Sequence, residues 1–179
     1  MTTLEVTFPD LWATVSTTRV RHRVPELGSG AQDGSSGQVT DVLPAVAGLS
    51  VGGFASVSVP DPECGSRVAA FCLINDVPRC SSDEADLRAL AEGGLHVGLE
   101  RDTSTVRLPV GPAFRSSAFR FDEELLDDVG RAPYAFEVRF VFPLPGHRAG
   151  VLHFETTSLS YLDDLESLFD AIAGTATLA

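Results

Sequence analysis

Residues 134–155 read YAFEVRFVFPLPGHRAGVLHFE. Tyr134, Phe136, Val138, Phe140 and Phe142 fall at every second position, the spacing of a strand with one buried face. The intervening positions carry Glu137 and Arg139. A Pro/Gly turn, PLPGHRAG, follows, and Leu152 and Phe154 then resume the apolar set while His153 and Glu155 share the polar one. A hairpin that keeps both apolar sets in the core must bring Glu137 and Arg139 beside His153 and Glu155, because a slip of one residue would invert a strand. The same stretch therefore predicts both the sheet and the chain's best cluster of chemical groups.

Working outward from this hairpin, Ser160 is predicted to cap a final helix with Leu162, Leu165, Phe169 and Ile172 as its buried stripe and Gly174 as its end. The tail TATLA adds a short strand. Upstream, FASVSV (54–59) alternates cleanly and RVAAFCLINDV (67–77) is apolar on both faces, which predicts a hairpin whose second strand is central. Ser81 and Glu84 have capping-box spacing, Leu87, Leu90 and Ala91 form a stripe, and Gly93-Gly94 is predicted to end that helix at positive φ. Three strands are predicted over 95–101, 104–110 and 113–121, with LPVGPA as a turn. DEELLDD (122–128) is an acidic surface segment, a turn or one helical turn. TLEVTF (3–8) is a first strand, anchored to the core by Trp12. GSGAQDGSSGQ (28–38) is a flexible loop inside one domain spanning 1–179.

Composition narrows the function classes. Net charge is −12, and all thirteen cations are Arg. Such a balance argues against nucleic-acid binding, which rests on clustered cations. No apolar run approaches membrane-spanning length, and the N-terminus lacks a basic signal region, so a cytoplasmic protein is expected. Cys64, Cys72 and Cys80 match neither a zinc pattern nor a disulfide framework, although a 64–80 pairing is compatible with their placement. No metal or cofactor motif is present, and no serine occupies a nucleophile elbow. His147 belongs to a turn. His153, beside Glu137 and Glu155, is the best candidate for a functional imidazole. Arg19, Arg21 and Arg23, around His22, are the one basic concentration and suit a carboxylate or phosphate partner.

The pieces LPVGPAFR (108–115), FPLPG (142–146), VLHFETTS (151–158) and LFDAIAGT (168–175) together resemble a group of actinobacterial proteins of unknown function. That group is similar in layout to the Mog1/PsbP-like fold. The resemblance covers about residues 100–175 and implies an α+β, single-domain protein, an antiparallel sheet flanked by helices in an α/β/α sandwich. The first ninety residues depart from it, since a Gly/Ser loop stands where the group has a longer helical segment. It carries over no catalytic residue. Wider relatives of the fold share the role of binding proteins, so the expectation is a non-catalytic adaptor or chaperone-like module that binds another protein, with a homodimer compatible. The alternative is a small-molecule enzyme or binding protein with a pocket over the sheet at Arg139, His153, Glu155 and Glu137.

Overall fold

A computed structural model describes residues 4–16, 51–61, 67–79, 83–93, 99–121 and 134–178. The 28–38 loop, the 122–128 turn, Arg19, Arg21, Arg23, Cys64, Cys80 and Ser81 lie outside these residues. The elements in chain order are β1 (Leu4–Glu5), β2 (Ala13–Ser16), β3 (Val51–Pro60), β4 (Arg67–Pro78), α1 (Glu84–Glu92), β5 (Leu99–Leu108) and β6 (Gly111–Phe121). They are followed by β7 (Tyr134–Leu144), β8 (Arg148–Thr156), a 3-10 turn (Leu159–Tyr161), α2 (Leu162–Ala173) and β9 (Thr177–Leu178). The architecture is α+β. Seven strands form one antiparallel sheet in the order β2-β3-β4-β8-β7-β6-β5, and β1 pairs with β9 in a separate two-stranded ladder.

The β7–β8 hairpin sits at the centre of the sheet. Its register pairs Glu137 with Glu155 and Arg139 with His153, as the parity argument requires. The closing turn uses Gly146 at φ 76 and His147 at φ 57, and both residues are exposed. The β3–β4 hairpin also forms as expected, with β4 flanked by β3 and β8.

On one face Phe136, Val138, Phe140, Phe142, Leu152 and Phe154 make the main core with Leu165, Phe169 and Ile172 of α2. Phe154 stacks on Phe169 with ring centroids 4.8 Å apart and meets Phe140 edge-on. Trp12 is buried in the same core. Arg115 fixes α2 from the sheet side: its Nη2 donates to Glu166 at 2.5 Å and its Nε to Asp170 at 2.8 Å. Burial works against the Arg115 charge, but the two carboxylates outweigh it and hold its pKa raised. Arg115→Gln should cost about 1–2 kcal/mol, since both acceptors are partly solvated. Amide exchange should quicken in α2 before it quickens in β7 and β8; uniform acceleration would contradict this.

Gly150, buried beneath Phe142, illustrates how tight this face is. A Cβ at Gly150 would run into the Phe142 ring, which is fully buried and cannot swing away. Gly150→Ala should therefore destabilise by about 1–3 kcal/mol. Adding Phe142→Leu should recover part of that loss in a urea titration, although Phe142→Leu alone destabilises.

Four expectations need correction. The predicted break between the 95–101 and 104–110 strands is absent: Leu99–Leu108 is one strand, β5, with a shift of register between Leu99 and Asp102. Of the predicted 3–8 strand, only Leu4–Glu5 pairs, because its partner β9 has just two residues. Ser160 does not cap α2. The chain enters through the 3-10 turn, while Ser158 Oγ accepts from the Ala69 N–H at 2.8 Å. Gly93 ends α1 at φ −74 and does not itself supply the left-handed conformation expected there, while Gly94 lies outside the described residues.

Candidate functional site

The opposite face of the sheet is divided in two. At one end Leu87 and Ala91 of α1 pack on Phe114, Val141 and Ala149. Beside them lies an ionic cluster. Glu137 is its centre, only 3% exposed. Arg101 Nη2 donates to Glu137 Oε1 at 3.1 Å, and Arg139 Nη2 reaches Oε2 at 3.4 Å. His153 Nε2 is also 3.4 Å from Oε2, although it makes no well-formed hydrogen bond among the described residues. Glu155, 7% exposed, accepts from Arg120 Nη2 at 2.9 Å.

Helix α1 closes the cluster from one side. Its last carbonyls would otherwise be orphaned, and its C-terminal end carries partial negative charge. Arg101 Nη1 donates to the Ala91 carbonyl at 3.2 Å, and Arg139 Nη1 donates to the Gly93 carbonyl. These guanidiniums satisfy carbonyls at the helix end. Each therefore bridges the helix end and the central carboxylate.

Electrostatics separate the two carboxylates. Burial acts to raise the Glu137 pKa, but the neighbouring His153, Arg139 and Arg101 outweigh it and hold the value down at about 2. Burial dominates at Glu155, whose pKa is raised because Arg120 and His153 only partly offset the desolvation and Glu137 repels. Burial also lowers the Arg139 pKa, with Glu137 opposing. Cys72, on the core face, has its thiol pKa pushed well up by burial and is not poised as a nucleophile.

The structure thus brings together Glu137, Arg139, His153 and Glu155. Sequence reasoning missed Arg101 and Arg120, which enter from β5 and β6. The parity of β6, with Phe114 and Ser116 on the α1 face, carries on to Arg120, and that signal was available. Nothing in the sequence marks Arg101.

Grooves in the described surface lie elsewhere. One of about 310 Å³ runs beside α1 and is lined by residues including Leu87, Thr105 and Phe114; another of about 390 Å³ is lined by Val6, Phe8, Trp12 and neighbours. No cluster residue lines either. Among the described residues no group of three or more His, Cys, Asp or Glu side chains is placed to hold a metal ion. Nor is any described helix long and apolar enough to cross a membrane. No protein-family model, curated protein or solved structure matches this chain.

Proposed function

We propose that the chain is a non-catalytic binding module that holds an extended segment of another protein along the outer edge of β5. The observation that carries this reading is a ten-residue strand at the end of the sheet that, among the described residues, pairs on one side only. Such an edge presents a row of free N–H and C=O groups to an incoming strand. The far edge, β2, has only four residues and offers much less. The ionic cluster supports binding over catalysis, because its carboxylates are already engaged by guanidiniums and Glu137 is held ionised, unsuited to proton transfer near neutrality.

Backbone alternation selects the position to test. Leu108 and Gly111 close the tight β5–β6 turn as a hydrogen-bonded pair, so Thr105, three residues back, belongs to a non-bonded pair and turns its N–H outward. Thr105→Pro should remove that donor while sparing the β5–β6 ladder. A partner retained from native extract by the wild-type chain should be lost with Thr105→Pro and kept with Thr14→Pro on β2. Equal retention by both variants would rule out the β5 edge.

A further inference from the structure

We infer that the groove beside α1 is the specificity pocket of this edge, and that it takes a tyrosine side chain from the strand added to β5; the inference rests on the binding mode proposed above. Thr105 pairs with Phe114, so its side chain stands on the face that carries α1. Cross-strand neighbours share a face. A residue placed opposite Thr105 in an added strand therefore points to the same side, one strand spacing beyond the groove wall that Thr105 forms. The edge supplies main-chain affinity for any sequence, and the groove is the feature beside it that can distinguish one side chain from another.

The chemistry of the walls selects the occupant. Leu87, Phe114 and Pro143 make an apolar channel, and Arg79 and Glu84 supply one cation and one carboxylate to the same groove. Arg79 is only partly buried, and its Nε is shut off from solvent, so an occupant meets the terminal amino groups of the guanidinium. The Arg79 backbone is held in place by its N–H to the His147 carbonyl at 2.9 Å. A phenol answers all three features: its ring fills the apolar walls, its oxygen accepts from Arg79, and its O–H donates to Glu84. A carboxylate side chain would meet Glu84 with like charge, and a lysine would meet Arg79. A plain phenyl ring would fill the channel but offer no acceptor to the Arg79 guanidinium and no donor to Glu84.

Fluorescence anisotropy with four synthetic peptides tests this. Each is a Lys-flanked Thr/Val strand whose central residue is Tyr, Phe or Asp; the fourth repeats the Tyr peptide with alternate backbone amides N-methylated. The wild-type chain should bind the Tyr peptide roughly 10–100-fold more tightly than the Asp peptide, the difference made by burying one large side chain. Tyr should exceed Phe by about tenfold, the worth of a hydrogen bond to a charged group. Arg79→Gln should abolish the Tyr-over-Phe preference and leave Phe binding intact. N-methylation should abolish binding altogether. If the N-methylated peptide binds as well as its parent, the edge mode itself is wrong. If N-methylation abolishes binding but Tyr, Phe and Asp peptides bind alike, the edge mode stands and the groove assignment fails. Binding of none of the peptides overturns both. Circular dichroism of Arg79→Gln checks its fold, and the Phe:Asp ratio on wild-type protein tests the groove with no substitution at all.

Discussion

Glu137→Gln should destabilise the protein by about 3–5 kcal/mol at pH 7, a loss expected when one partner of a buried ion pair is removed. The amide keeps the shape of the carboxylate but leaves Arg101 and Arg139 without their shared anion in a site only 3% exposed at its centre. Glu155→Gln should cost less, because desolvation already disfavours that charge and, among the described residues, Arg120 alone is hydrogen-bonded to it. The pH dependence has a definite sign. Glu137 falls from an ordinary value of 4.5 to about 2 on folding. Its stabilisation is therefore fully present above pH 4.5 and is lost as pH drops from 4.5 towards 2, a change of about 3 kcal/mol. Glu155 acts in the opposite sense: its raised pKa means the folded state holds that proton more tightly, so its contribution declines as pH rises above 4.5. Urea titrations between pH 2 and 7 should show that Glu137→Gln flattens the acid limb. An unchanged slope would mean that Glu137 is not the group responsible.

The other large effect belongs to the opposite face. Phe154 is fully buried, stacks on Phe169 of α2 and contacts Phe140. Phe154→Ala should cost about 3–5 kcal/mol, combining lost transfer energy with the cavity left behind. Phe154→Leu should recover more than half of that in the midpoint of urea unfolding, because it refills most of the space. If Leu were no better than Ala, the loss would lie in ring stacking and not in volume.

Much of the sheet could be read from the order of residues alone, and the reason is geometric. Period-two alternation from Tyr134 to Phe142, joined by one turn to Leu152 and Phe154, leaves a single parity for the hairpin, so the meeting of Glu137, Arg139, His153 and Glu155 followed without further information. Their depth could not be deduced in this way. It depends on Arg101, Arg120 and the C-terminal carbonyls of α1, three contributions from elements distant in sequence. Helix ends were misjudged for a related reason. The carbonyls at Ala91 and Gly93 accept from side chains of β5 and β7, contacts that the local sequence around Gly93 does not announce. The division between 95–101 and 104–110 falls at the polar pair Asp102-Thr103, which an edge strand accommodates without a break.

The position of β8 also has a kinetic consequence. The β3–β4 hairpin and the β5–β8 run of consecutive strands each consist of local pairings, and they join along one ladder, β4 against β8. Across that seam Thr156 donates to the Ala69 carbonyl, 87 positions away. Local hairpins close in microseconds, whereas distant pairing carries the loop-closure entropy before any contact rewards it. The seam therefore sets the folding rate. Substitutions along β4 and β8 should slow refolding in stopped-flow traces. The strand that would receive a partner belongs to the locally paired half of the sheet, which is in place before the seam closes.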